Sequence, residues 1–485
     1  MKTPRKTALE AAFDPDRFRS EGHALIDQLA DYLTRALERR TRQVLPWVPP
    51  EVQVASTPGF SEEPEADLAS LVDDLLGRSL ALHDPRCMGH QDGVPTPTAC
   101  LTELVTGLVN NDPSCYESAP FAVAMEQKLL RWFLDEVGYS EDADGVFTSG
   151  GSLGNVTALL AARQAKAGFD AWKRGDAEET KLCVLVSEET HYCVARAVQI
   201  MGWGEDGYVK VPVDSSFHLD PAALPAALEE ARRRGRKPIA IVASAGTTAT
   251  GAFDPLPEIA DFCEANDLWL HVDGAHGGST VLSPSYRHLV AGIERADSVV
   301  WDAHKMMMIP ALLSAVLFKD GRHSYETFRQ EATYLFEGRP DEEWYNAGNR
   351  TVECTRPAMS TRLYLSLRAQ GIAPFREYVT RCFDLGRRFA KLIDRSDDFE
   401  LAVAPEANII CFRHTPAGAP DLDALQDRIR REVVESGDYY LVSAEILGAL
   451  WLRCTIMNPF TEDEDLQRLL DLLRDAAAQP SRDAD

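Results

Sequence analysis

A lysine stands at the end of an apolar run in "SVVWDAHKMMM", Ser298 to Met308, with Asp302 and His304 just before it. Three ionisable groups against a buried run ask for a chemical reason. Desolvation by apolar neighbours lowers the pKa of a lysine, and an unprotonated amine is a nucleophile suited to imine formation. Lysines near strand ends are also commonly solvated, so Lys305 alone leaves both readings open. Three other stretches bring chemistry of their own. "FTSGGSLGN", Phe147 to Asn155, offers glycines for close backbone approach, a helix N-terminus for an anion and the Ser152 hydroxyl as a further donor. It is neither a P-loop nor a G-x-G-x-x-G fingerprint, and taken alone it also fits a plain tight turn. "HVDGAHGGS" puts Asp273 just past an apolar run, where a carboxylate needs a cation or donors. A helix cap, a structural ion pair or a protonated ring nitrogen would each meet that need. "SAGTTATGAFDP" sets the hydroxyls of Thr247 and Thr248 in a small-residue loop that serves as a turn or as a site. Together the four supply an amine, an anion cradle, a carboxylate and hydroxyl donors. Those are the needs of pyridoxal 5'-phosphate (PLP): phosphate on the helix N-terminus, carboxylate on the ring nitrogen, lysine on the aldehyde.

The elements that must position these groups are legible as a pattern. Short β-rich runs ("GVFTSG", "KLCVLVS", "PIAIVASAG", "LWLHVDGA", "SVVWDAH", "SAVLFKD") alternate with helical segments such as "NVTALLAARQAKAG" and "PLPEIADFCEAND". Near-continuous apolar strands alternating with helices predict an α/β unit with a mainly parallel sheet covered on both faces. Ligands of such sheets bind at the carboxyl ends of strands, which is where the polar residues collect. Upstream, residues from about 13 to 40 read as an amphipathic helix. The Pro-rich "LPWVPPEVQVASTPGFSEEPE" reads as an extended connector without a regular element, and "ADLASLVDDLLGRSL" as a second helix. This segment has too little apolar surface to stand alone, so it packs on another domain or another subunit. From about residue 370 a long helix, "FELAVAPEANIICFRHT", another helix and "LWLRCTIMNP" predict a smaller α+β domain. The expected division is a helical segment over 1–85, a large α/β domain over 86–368 and a small domain over 369–485. No internal repeat interrupts it.

Composition narrows the function classes. Of 485 residues 45% are hydrophobic, and 50 Lys plus Arg face 76 Asp plus Glu for a formal charge of −26. So acidic a chain repels phosphate backbones, and nucleic-acid binding is not expected. Ten cysteines are scattered without a C-x-x-C pair, and no His cluster has zinc spacing, so neither a disulfide framework nor a metal site is expected. The N-terminus lacks the apolar core of a signal peptide, and no apolar run approaches the roughly 20 residues that cross a bilayer. The expectation is a soluble, cytoplasmic protein with no membrane partner.

With these residues in view, the chain resembles the group II PLP-dependent amino-acid decarboxylases, which include the glutamate, cysteine-sulfinate, diaminobutyrate and aromatic amino-acid enzymes. The resemblance runs from "FDPDRFRSEGHALIDQLADYL" to "LRCTIMNP", and "YRHLVAGIERADSVVWDAHKMMM" is similar to the glutamate and cysteine-sulfinate branch. It implies fold type I, the PLP-dependent transferase-like architecture. It also implies that Lys305 is the covalent lysine, Asp273 the ring-nitrogen partner and His191, in "SEETHYCVARA", the histidine stacked on the ring. Gly151 and Ser152 then cradle the phosphate, Asp302 and His304 form the polar pair beside the lysine, and Thr248 and Ala275 line the ring. The family more often has Asn-Pro-His-Lys. Asp302 and Ala303 replace its first two residues, and an aspartate beside a phosphate is unfavourable unless its lone pairs meet donors. By the same resemblance Tyr334, in "EATYLFEG", protonates the substrate carbon, and Arg453 grips the α-carboxylate. His90 and Gln91 fall in the segment that approaches the substrate side chain. Met359 stands where many relatives have aspartate, and the cations Arg356 and His90 hint at an anionic side chain. The implied activity is decarboxylation of an acidic or otherwise polar L-amino acid by a homodimer with its active site at the subunit boundary. The competing readings are a decarboxylation-dependent oxidase or aldehyde synthase on the same scaffold, a PLP-dependent aminotransferase, and a non-enzymatic partner-binding protein.

Overall fold

The computed structural model describes residues 7–175, 180–328 and 344–479. It contains two compact units, one of residues 91–396 and 401–412, the other of residues 1–90, 397–400 and 413–485.

The first unit is built on seven strands: β1 (Asp144–Thr148), β2 (Lys181–Ser187), β3 (Tyr208–Val211), β4 (Arg236–Ser244), β5 (Trp269–Asp273), β6 (Ser298–Asp302) and β7 (Ser314–Phe318). Their order is β1-β7-β6-β5-β4-β2-β3. β3, β2, β4, β5 and β6 pair in parallel, and β7 runs antiparallel to both β6 and β1. β1 therefore points the same way as β6. The ends of β1, β4, β5 and β6, which the sequence marks as polar, all fall on the carboxyl edge of one sheet. The central strands are mostly apolar because both faces are covered: every residue of β5, β6 and β7 is buried. β3, "YVKV", is absent from the expected strand set; four residues are too short a run to register as one.

In the second unit the expected N-terminal helix spans Pro15–Leu37 and the next one Leu68–Arg78, started by the Asp67 carboxylate accepting from the Ser70 N–H at 2.8 Å. The two touch through Gln28, whose amide donates to the Ala69 carbonyl at 3.1 Å. Arg39 forks onto the Asp465 carboxylate with two 2.7 Å contacts, fastening the end of the first helix to the Asp463–Ala478 helix. The expected connector is corrected at Pro50–Ser56, which is helical. Proline is tolerated in the first turn, where no backbone donor is required of it, so the Pro pair opens this helix rather than forbidding it. Strands Val442–Ile446 and Ala449–Thr455 form a hairpin whose turn residues Leu447 and Gly448 both have positive φ, the geometry that matches strand twist.

Among the described residues no helix is long and apolar enough to cross a membrane.

Candidate active site

The four strand ends surround a cavity of about 290 Å³ lined by Gly151, Ser152, His191, Thr248, Asp273, Ala275, Asp302, His304 and Lys305. These nine are the residues singled out in the sequence for the cofactor, and they converge here from strand ends spread over 150 residues of chain. Thr247 and, unremarked in the sequence, Asn155, Cys193, Ser244 and His276 share the lining.

β1 leads into the helix Gly151–Lys166 through Gly150, whose φ of 102° and ψ of 159° suit glycine alone. Gly150, Gly151 and Ser152 all line the cavity, so the unpartnered first N–H groups of a 16-residue helix stand at its wall. Gly151 is required for a second reason. A Cβ there would lie 2.8 and 2.9 Å from the two carboxylate oxygens of Asp302. Asp302 ends β6 with its side chain buried; it accepts from the Ser314 hydroxyl and sits 3.5 Å from Lys305 Nζ and 3.7 Å from His304 Nε2. The lone pairs of an aspartate in the usual asparagine position are thus met by a donor and two basic side chains. Ser149, at the edge of the cradle, gives both its hydroxyl and its N–H to Glu353.

Asp273 ends β5 with 8% of its surface exposed. Its Oδ1 accepts from the Ala275 N–H at 3.1 Å and its Oδ2 from the Asn155 amide at 3.2 Å. It forms no ion pair among the described residues, and a buried carboxylate in that condition fits the protonated ring nitrogen of PLP. His191 caps the helix Tyr192–Ile200; its Nδ1 accepts from the Cys193 N–H at 3.3 Å, which places the ring proton on Nε2. Burial, helped by Lys305, lowers its pKa, so the ring is neutral at neutral pH. Cys193 is pushed up to about 12 by burial and by Asp273, and it is a thiol here rather than a nucleophile. An amine, an anion cradle, a buried carboxylate lacking a cation and a neutral imidazole plane form a donor set that matches PLP.

Tyr334 falls outside the described residues. Gln91 belongs to the unit that carries the cavity but is not among its lining residues. His90 and Arg453 belong to the other unit: His90 is exposed, its ring 6.0 Å from that of Tyr440, and Arg453 is buried in the hairpin opposite Val442. Arg356, taken as a hint of an anionic substrate, is corrected. It is 2% exposed and committed to the Glu126 carboxylate and, at 2.8 Å, to the Phe147 carbonyl. Asn155 and His271 went unassigned in the sequence, although a histidine two residues before an aspartate in a strand shares its face and was a usable signal.

Residues 61–415 match a family described as the pyridoxal-dependent decarboxylase conserved domain. A human protein named acidic amino acid decarboxylase GADL1 is 30% identical over 424 residues, 85% of this chain and 81% of that protein. An aromatic-L-amino-acid decarboxylase of Bacillus atrophaeus is 25% identical over 471 residues, 96% of each. The crystal structure of mouse CSAD in apo form, 28% identical, matches with a TM-score of 0.86 over 94% of this chain and 99% of that one.

Proposed function

The chain belongs to the pyridoxal-dependent decarboxylase family, and from that premise we propose that it removes the α-carboxylate of an L-amino acid whose side chain is acidic or otherwise polar. It is a PLP-dependent amino-acid decarboxylase on a fold type I α/β scaffold. The observation that carries the residue assignments is the convergence of Lys305, Asp273, His191 and the Gly151–Ser152 cradle on one cavity.

When bound, PLP supplies an electron sink for the pair left behind as CO2 departs. Lys305 binds the cofactor's aldehyde carbon through Nζ. The helix N-terminus at Gly151, with Ser152 Oγ, holds the phosphate. Asp302, satisfied by Ser314, stands beside the cradle 3.5 Å from Lys305 Nζ, while the His304 ring is held 3.0 Å from the Leu313 carbonyl. Asp273 holds a proton at the ring nitrogen, and burial keeps water from competing for that carboxylate. By the family resemblance His191 would stack its neutral ring on the cofactor without adding a charge beside the ring nitrogen, and Thr248 and Ala275, which line the same cavity, would contact the ring. Tyr334 delivers the proton to Cα, Arg453 grips the α-carboxylate, and His90 and Gln91 select the side chain. These last four roles rest on the family resemblance.

The acidic substrate class is supported by the 30% identical relative named for acidic amino acids. The test is CO2 and amine formation across acidic, basic and aromatic amino acids, with peroxide and ammonia followed in parallel. Highest kcat/KM on an acidic amino acid, with amine and CO2 in equal amounts, is expected. A faster aromatic substrate overturns the substrate class, a faster basic one overturns the acidic preference within it, and peroxide with ammonia overturns simple decarboxylation.

The proposed assembly is a cytoplasmic homodimer joined through residues 1–85. Phe13, Phe18, Leu71 and Leu75 of that segment are exposed, apolar surface that a second copy would cover. A monomer by sedimentation at full turnover contradicts it.

A further inference from the structure

Behind Asp273 lies a file of buried side chains that the roles above do not use. Asn155, one turn into the helix that forms the anion cradle, contacts Asp273 Oδ2 at 3.2 Å with Nδ2 and His271 Nε2 at 2.7 Å with Oδ1. His271 Nδ1 lies 2.8 Å from Ser298 Oγ, and Trp269 Nε1 lies 2.8 Å from the same oxygen. His271 and Ser298 are 0% exposed, and Asn155 and Trp269 are 1% exposed.

The proton positions follow by elimination. Asn155 Nδ2 also donates to the Gly151 carbonyl at 2.9 Å, so a flipped amide would set its oxygen against a carbonyl and a carboxylate. The amide oxygen therefore faces His271, and Nε2 must carry a hydrogen. Burial lowers the His271 pKa to about 4, so the ring is neutral and Nδ1 offers a lone pair. The Ser298 hydroxyl donates into that lone pair, and the Trp269 N–H, a donor only, donates to Ser298. Every hydrogen bond in the file points the same way, from Trp269 through Ser298, His271 and Asn155 to Asp273 Oδ2.

We propose that this one-way donor file holds Asp273 ionised and aimed at the cofactor's ring nitrogen, which makes His271 and Asn155 positioning residues for the electron sink. The reasoning is electrostatic. Hydrogen bonds to the charged form of a carboxylate favour that form, and linked donors in a dry interior polarise one another. A cation in the same place would neutralise Asp273 and weaken its hold on a ring proton. Neutral donors stabilise the charge without spending it. His271 is suited to the task because it stays neutral, so the proton resides on the cofactor and not on the imidazole. The proposal rests on Asp273 as the ring-nitrogen partner.

The experiment uses full-length protein loaded with PLP labelled with 15N at the ring nitrogen, whose chemical shift reads protonation directly. Wild type is expected at the protonated position. His271→Phe, similar in shape but without donors, is expected to move toward the unprotonated position, with cofactor affinity down by about tenfold for each unit lost in ring-nitrogen basicity. A folded His271→Phe at the wild-type shift overturns the proposal. Where that variant does not fold, Ser298→Ala takes its place: a smaller displacement in the same direction supports the file, and none overturns it. Asp273→Asn separates the two layers. If it leaves the resonance unmoved, the role of Asp273 fails; if it moves the resonance while His271→Phe does not, only the file fails.

Discussion

Gly93 shows how tightly the chain is fitted around Lys305. A methyl group added at Gly93 would sit 2.2 Å from the carbonyl oxygen of His304 and 2.5 Å from that of Lys305. Nonbonded heavy atoms rest roughly 3.5 Å apart, so one of the two backbones must retreat by about 1 Å. Neither obstacle is a side chain that can rotate away. Overpacking of this kind costs about 1–3 kcal/mol of stability. The larger effect is on the site, because a 1 Å displacement of a reacting group lowers turnover by about 100-fold. Gly93→Ala is therefore expected to keep its fold by circular dichroism, to bind PLP more weakly by absorbance titration and to release CO2 about 100-fold more slowly. Gly107→Ala is the control. Gly107 lies within the Pro97–Val109 helix with nothing within 4 Å of an added Cβ, so turnover stays unchanged and helix propensity gains up to about 1 kcal/mol. A Gly93→Ala protein with wild-type cofactor affinity and turnover refutes the claim that this contact sets the position of Lys305.

Three further outcomes are expected. Arg356→Met leaves Glu126 buried without its partner and lowers unfolding stability by about 3–5 kcal/mol, while KM for an acidic substrate is unchanged in protein that folds; a raised KM at unchanged stability would restore Arg356 to the substrate. His218 is held between Asp214 at 3.2 Å and Glu406 at 3.0 Å, which raises its pKa to about 9. Because the folded value exceeds the unfolded one of roughly 6.5, the stabilisation is complete below pH 6.5 and lost as pH rises through 9, up to about 3 kcal/mol before solvent screening. Urea unfolding of wild type and His218→Gln should converge over that window, and parallel pH profiles would contradict the assignment. Cys193, with its thiol near 12, should resist iodoacetamide at pH 8 in folded protein while exposed Cys354 reacts, as read by peptide mass spectrometry; early labelling of Cys193 would contradict its burial.

Six of the seven strands of the sheet and the residues around its carboxyl edge were legible because each signal is local. An apolar run closed by glycine, aspartate or lysine declares both a buried strand and an unusual end to it. What escaped was relational. Arg356 reads as a free cation until Glu126, 230 positions away in sequence, proves to be its partner. His271 reads as one polar residue in an apolar strand until Asn155 and Ser298 are seen on either side of its ring. Gly93 carries no signal at all, since its necessity comes from carbonyls more than 200 residues downstream. The Pro pair at 49–50 misled for a different reason: proline ends helices from within and begins them at the first turn, and the sequence does not say which side of the boundary it occupies. Asp302 lies between these cases. Its departure from the family pattern was visible, but its satisfaction by Ser314 and the basic side chains beside it was not.

The covalent role of Lys305 is the point on which the proposed chemistry turns. Borohydride reduction of the PLP-loaded full-length protein, followed by peptide mass spectrometry, tests it directly. The reduced cofactor is expected on Lys305, within the peptide carrying "WDAHKMMM", and the visible absorbance of the loaded protein is lost in Lys305→Ala. Reduced cofactor on a different lysine, or on none in a protein that still releases CO2, contradicts the account.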